Sequence, residues 1–452
     1  MGRPPWAAAG PLASLCSALL DRLCCNQCCM QSAQMVFLIF IFSWLALAQP
    51  ATFDSLLKEG LLALDRRDLS VASAKLESAA KLRPADARVW LALAQTYRKS
   101  NRTQAAQQAA ERATRLGKND PIILHGLAMF YAESANPGQA AKFESRYAIT
   151  APGDRDAWMR AATYYLEAGQ PKQAIELANR ALAVENRADV HDLLGKAYER
   201  DGQPEKAVVE LYQAVRLSPY EETYHFDLAR TLLLHDNFDA AVGVLESGLK
   251  IFDKSAQLEL ALGIAYYGQR RFPDAVDAFL KTIAMAPEIE QPYVFLGRIL
   301  DQARDRLPEI TAKFAAFTRS NPQNHLGPFV WAKAVMADLA PTGDQERAGQ
   351  AEALLRMSIA LKGQFWETHF ELGVLLERQG DFTHAAEELN RAARLNPKDS
   401  AVHYRLARLY DRLGKPDQAA VERALHQKCE AEERAAVAKA AGGMKRLDPV
   451  IK

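Results

Sequence analysis

Apolar residues from Phe53 to about Glu433 fall in paired stripes with helical spacing, most plainly in the stretch Ala188 to Glu221. Leu194, Gly195 and Tyr198 lie at i, i+1 and i+4 of a first stripe, and Ala207, Leu211 and Ala214 form the inner face of a second. Asp201 and Gly202 interrupt the pattern, Pro204 suits the first turn of a new helix, and Pro219 stops it. The stretch predicts one helix, a tight turn and a second helix. Neither helix can bury its apolar face alone, so the unit must stack on copies of itself.

The copies are present. The small residue Gly195 recurs as Gly60, Ala94, Ala128, Ala162, Ala229, Gly263, Gly297, Ala332, Gly373 and Ala407, at steps of 33 to 35 residues except one of 41. The Ala207 position keeps the same rhythm from Ala72 to Ala419, with Ile310 the one large residue in the series. Small residues are required at both places because the two helices cross there and a larger side chain would hold the backbones apart. Turn signals share the phase: Gly169-Gln170-Pro171, Gly202-Gln203-Pro204, Gly380-Asp381-Phe382 and Gly414-Lys415-Pro416. The long step reflects seven extra residues around Ala340 to Gln350, which predict a lengthened surface loop. A final charged helix opens at Pro416 and runs to Gly442-Gly443, as a capping element would, and the residues from Met444 on read as a tail.

Leu262, Gly263, Tyr266, Ala275, Phe279 and Pro287, with Glu259 in place of a Trp, resemble the tetratricopeptide repeat at its fixed offsets. The resemblance covers about eleven units: repeats 1 to 8 over residues 53–323 and repeats 9 to 11 over 324–433. It implies an all-α, right-handed superhelical solenoid whose first helices line a concave groove. Residues three before and one after each small position would then face that groove. The earlier position holds Leu91, Met159, Phe226, Leu260, Val294, Phe329, Phe370 and Tyr404; the later holds Lys196, Arg230, Ile264, Arg298, Lys333, Val374 and Arg408. Apolar residues beside spaced cations suit an extended peptide, and packing between units is the competing use of the same stripe. The sharpest candidate surface spans the sixth to eighth units, where Tyr267 adds a ring with a polar tip to Phe226, Leu260, Val294, Arg230 and Arg298. The Lys and Asn pair with which family members hold a terminal carboxylate is missing, the matching positions reading Leu91 with Gln95, Asp192 with Lys196 and Phe226 with Arg230.

Composition narrows the function. The chain has 56 Lys and Arg against 55 Asp and Glu, interspersed, which argues against nucleic acid as a partner. Five of its six cysteines precede residue 30, so the repeats, with Cys429 alone, hold no internal disulfide. Cys25 and Cys28 have CxxC spacing without the second ligand pair that a zinc site needs. Val36 to Ala48 is a short apolar run ending in Ala-Leu-Ala, too brief for a spanning helix and suited to a cleaved export signal. An uncleaved membrane anchor is the alternative, and Met30 or Met35 would make a more ordinary start for a signal than Met1. Histidines are scattered, with His191, His225, His369 and His403 at the repeat's Trp position as packing residues, and no HExxH, GxGxxG, Walker or GxSxG sequence is present. Asn101-Arg102-Thr103 is a lone glycosylation sequon. The sequence therefore predicts no catalytic, metal or cofactor site. It predicts an exported, non-enzymatic scaffold for proteins or peptides, or the interaction subunit of a separately encoded envelope enzyme or export machine.

Overall fold

The structure, a computed structural model, describes residues 52–340 and 344–443. The export segment, the clustered cysteines and the tail after residue 443 lie outside the described residues. Those described form 22 α-helices and no strand, and no helix among them is long and apolar enough to cross a membrane.

The helices form two compact units, one ending at Thr150 and the other beginning at Ala151. The first unit holds α1 (Phe53–Asp65), α2 (Leu69–Leu82), α3 (Ala87–Lys99), α4 (Thr103–Leu116), α5 (Pro121–Glu133) and α6 (Pro137–Thr150). The second opens with α7 (Arg155–Glu167), α8 (Pro171–Val184), α9 (Ala188–Arg200), α10 (Pro204–Leu217), α11 (Glu222–Leu234), α12 (Phe238–Leu249), α13 (Ala256–Gly268) and α14 (Phe272–Met285). It continues with α15 (Gln291–Arg298), α16 (Leu307–Ser320), α17 (Leu326–Ala337), α18 (Gln345–Leu361), α19 (Trp366–Gln379), α20 (Phe382–Leu395), α21 (Ser400–Arg412) and α22 (Pro416–Gly443). Each odd helix packs on the even helix that follows it, giving repeats 1 to 11, except in repeat 8, where irregular turns replace the end of the first helix and α15 packs instead on α14 and α17.

Local chemistry starts and stops these helices. Asp68, Asp86, Asp120, Asp154, Asp381 and Asp399 each cap a helix by accepting from a first-turn backbone N–H. The residue seven after the small position adopts positive φ in nine repeats; it is glycine at 169, 202, 380 and 414, and Arg67, Asn101, Ala135, Asp236 or Arg270 elsewhere. Repeats 8 and 9 lack this turn.

At the crossing, glycine and alanine have different partners. A methyl on Gly60, Gly263 or Gly373 would sit 2.6 to 2.7 Å from Leu76, Phe279 or Leu389, a large side chain one turn beyond the crossing alanine. Where the first helix offers Ala94 or Ala162, the same place on the second helix is the smaller Ala110 or Ala178, each fully buried. In those two repeats bulk is traded across the pair, but Ala229 and Ala332 face the fully buried Leu245 and Leu355, so the exchange is not general.

Repeat 8 departs from the expected form. Its first helix stops at Arg298, and short 3-10 turns at Leu300–Gln302 and Arg304–Arg306 lead to α16. The insertion in repeat 9 is only in part a loop. Its C-terminal portion lengthens α18 to 17 residues, with Asp344 capping the added turn and Arg347 pairing with Asp338; residues 341–343 lie outside the described set.

Candidate interaction face on the first helices

Within each unit, first helices of successive repeats pack on one another: α3 on α1 and α5, α9 on α7 and α11, α13 on α11, and α17 on α15 and α19. No comparable contact joins successive second helices. Within each unit it is therefore the first helices that touch from repeat to repeat. The candidates from Phe226 to Arg408 all lie in the second unit.

Their placements differ. Phe226, Leu260, Ile264, Tyr267, Val294 and Phe370 are half-buried, with one side against the core and the other open. Tyr267 stands edge-on to Phe295 at 5.2 Å between centroids. Phe329 is only 8% exposed and meets Phe365 edge-on at 5.1 Å, so it belongs to the packing between repeats rather than to an open face. Leu91 and Val374 are buried for the same reason. Tyr404, 47% exposed, is the most open ring of the set.

The cations divide into two classes. Lys196 Nζ lies 2.7 Å from Asp192 and 2.9 Å from Asp227 on the next first helix. Lys333 pairs with Glu371, also on the next first helix, at 3.3 Å. Arg230 is half-committed, its Nε 3.5 Å from Asp227 of its own helix. Arg298 and Arg408 are exposed and pair with no described carboxylate; their guanidinium carbons rest 5.7 Å over the rings of Phe295 and Tyr404. The acids decide this division. Lys196 and Lys333 are followed, in the next repeat, by an acid two residues before the small position, whereas Arg230 and Arg298 are followed there by Ala261 and Val330.

Burial makes the first network tense. It pushes the Asp192 carboxyl up, with Lys196 only partly offsetting it, and leaves Asp192 Oδ1 without a hydrogen-bond partner. Burial opposes the Lys196 ammonium too, yet Asp192 and Asp227 outweigh it and its pKa is raised. Among the described residues no cluster of three or more histidines, cysteines or carboxylates could hold a metal.

The position that the repeat pattern gives to Trp has a second use, which sequence reasoning missed. Trp90 and Trp158 each donate their indole N–H to the carbonyl six residues earlier, on Pro84 and Pro152, at 2.9 and 3.0 Å. Tyr293 hydroxyl donates likewise to Pro287 at 2.9 Å. Each of these prolines ends the preceding helix and turns its own carbonyl toward the next. The recurring spacing of Pro and aromatic donor was the readable signal. Glu259, at the same position, does not make this bond; Lys281 lies 3.4 Å from its carboxyl, which burial pushes up.

Helix pairs stacked through their first helices define a helical-repeat scaffold. The chain belongs to the tetratricopeptide repeat family, whose pattern matches residues 57–155, 159–222, 226–325 and 343–400, and in a second form 376–440. Solved structures of similar form include yeast Tom70 (15% identical, 88% of this chain and 98% of that one, TM-score 0.40). YrrB, a tetratricopeptide repeat protein with an unusual peptide-binding site, is 19% identical over 41% of this chain and 95% of its own (TM-score 0.34). MamA is 18% identical over 37% of this chain and 92% of its own (TM-score 0.34). Comparison with curated proteins gave no match.

Proposed function

We propose that the protein is a non-enzymatic scaffold that works outside the cytoplasm and grips extended protein segments on the first-helix face of its second unit. The supporting observation is the open line of Phe226, Leu260, Ile264 and Val294 beside Arg298, an exposed cation that makes no ion pair with a described carboxylate. Half-open apolar side chains offer pockets to alternate residues of a bound strand. Arg298, and Arg408 three repeats on, supply charge-assisted bonds to carbonyl or carboxylate groups. Arg230 serves less well, since Asp227 already holds it. The export part of the reading rests on Val36 to Ala48 alone; fractionation with N-terminal sequencing should find the chain outside the cytoplasm, beginning at Gln49.

The test uses the chain from residue 49 as bait in extracts of its source cell. Arg298→Glu with Arg408→Glu should abolish capture of the specific partner while changing stability by under about 0.5 kcal/mol per site, because both side chains are exposed. Capture that survives the double change would place the binding surface elsewhere.

A further inference from the structure

Four repeats carry histidine at the loop-fastening position, and the four are not equivalent. His225 gives its Nε2 proton to Pro219 carbonyl at 2.9 Å, and its Nδ1 is buried without a partner. A neutral ring satisfies that arrangement. His191 meets Glu210 at 2.6 Å through Nδ1 and the Asn186 side chain at 2.8 Å through Nε2. A side-chain amide can present either oxygen or NH2, so this ring too needs only one proton.

His369 and His403 face two fixed acceptors. His369 Nδ1 is 2.6 Å from Glu388 Oε2 and its Nε2 is 3.0 Å from the Gly363 carbonyl. His403 repeats this geometry with Glu422 Oε2 at 2.6 Å and the Pro397 carbonyl at 3.0 Å. Both rings are buried. A neutral imidazole owns one N–H, so at these sites it would aim a bare lone pair at a carboxylate or a carbonyl; only the imidazolium donates twice.

Charged neighbours surround the two rings. Arg391 of α20 donates to Glu388 Oε1 at 2.6 Å and, as a cation, opposes the His369 imidazolium less than Glu388 supports it. Lys362 in the incoming loop lies over Phe365, and the cations that α17 and α18 bring to this repeat are committed, Lys333 to Glu371 and Arg356 to Glu352. Around His403, α19 contributes Glu377, held by Arg405 and Arg412, and α22 contributes His426, whose Nδ1 meets Ser400 carbonyl at 3.0 Å. The Pro397 carbonyl also accepts from Cys429 Sγ at 3.7 Å.

We propose that His369 is a proton-controlled fastener that clamps α20 onto α19, so that repeat 10 opens locally as the pH rises while the Trp-fastened repeats do not. The ring joins three pieces at once: the first helix that bears it, the loop that enters the repeat, and the second helix that carries the glutamate. Losing one proton frees the second helix. The Glu388 carboxylate holds the His369 imidazolium above its ordinary 6.5 against the effect of burial. A raised folded value means that the stabilisation is complete below 6.5 and is withdrawn as the pH climbs through the folded value. Within that window the opening equilibrium of repeat 10 should rise by up to about tenfold per pH unit.

Amide hydrogen exchange on the full chain between about pH 5.5 and about pH 8.5, corrected for intrinsic rates, reads this directly. Protection over residues 366–395 should fall with pH in the wild type, while α3 and α7, fastened by Trp90 and Trp158, stay level. In Glu388→Gln an amide can donate to Nδ1 and the neutral ring suffices, so the slope should vanish. A level wild type, or an unchanged slope in the variant, overturns the proposal. Should the variant lack protection at every pH, nitrogen-15 spectra of labelled histidine in the wild type decide: two protonated nitrogens on His369 at about pH 7 uphold it, and one refutes it.

Discussion

In repeat 5 a methyl added to Gly195 would lie 2.4 Å from Leu211 Cγ and 3.2 Å from the Ala207 carbonyl; in repeat 8 a methyl on Gly297 would meet nothing nearer than Val330 Cγ1 at 3.5 Å. The first helices carry the same residue at this position, so the difference comes from the second. Ala207 and Leu211 of α10 become Ile310 and Phe314 of α16, all four fully buried. Added bulk on α16 separates the two backbones at the crossing, and the tight turn of the regular repeat no longer fits. The chain then closes the gap with two 3-10 turns where repeat 5 has a full helical end and a left-handed glycine at Gly202. Small residues in this solenoid are therefore a property of the pair, and one position cannot be read without its partner.

Four substitutions would break or sharpen that contrast. The largest effect belongs to Ile310→Ala, which empties a fully buried site in a crossing already opened around it; a loss of about 2 to 5 kcal/mol is expected in urea unfolding followed by helicity. A small loss would mean that repeat 8 can collapse onto the regular geometry. Ala207→Ile is the reverse exchange, and forcing repeat 8's bulk into repeat 5 should cost about 1 to 3 kcal/mol. An unchanged midpoint would show that the crossing of α9 and α10 is looser than its distances say. The smallest effect separates the two glycines. Gly297→Ala should be neutral or stabilising by up to about 1 kcal/mol, as helix propensity allows, whereas Gly195→Ala should destabilise because Leu211 must move. Equal shifts for the two would remove the distinction. Since a solenoid unfolds repeat by repeat, local exchange rates in each repeat are the stricter readout.

Sequence spacing made the helices, their pairing and the count of repeats legible, because the small residues at Gly195 and Ala207 are fixed by steric contact within 34 residues of chain. Consequences of Ile310 were harder to read. The residue marks a departure, but whether a helix tilts, bends or unwinds in response depends on how far Val330 and Phe314 yield, and that is a matter of three-dimensional volume. The candidate face was legible in position and less so in state. Lys333 looks like a free cation along the chain, and Lys196 like one held only by Asp192 of its own helix, yet Glu371 and Asp227 of the next first helix close on them. The insertion in repeat 9 obscured the second of these pairs by adding seven residues to the spacing. Protonation at His369 was not visible in sequence at all, because it depends on two acceptors meeting one ring, and His225 occupies the same pattern position with only one.

The donor at the Trp position reaches a carbonyl six residues back, which belongs to the chain entering its own repeat. This sets where such a protein can be cut and rejoined in the course of its history. A duplication or deletion whose breakpoints fall ahead of Pro84, Pro152 or Pro287 carries donor and acceptor together, and the joined chain inherits a complete fastening. A breakpoint between the proline and the ring leaves a carbonyl facing whatever the new neighbour supplies. Lineages that gain or lose repeats should therefore preserve the seam before the proline.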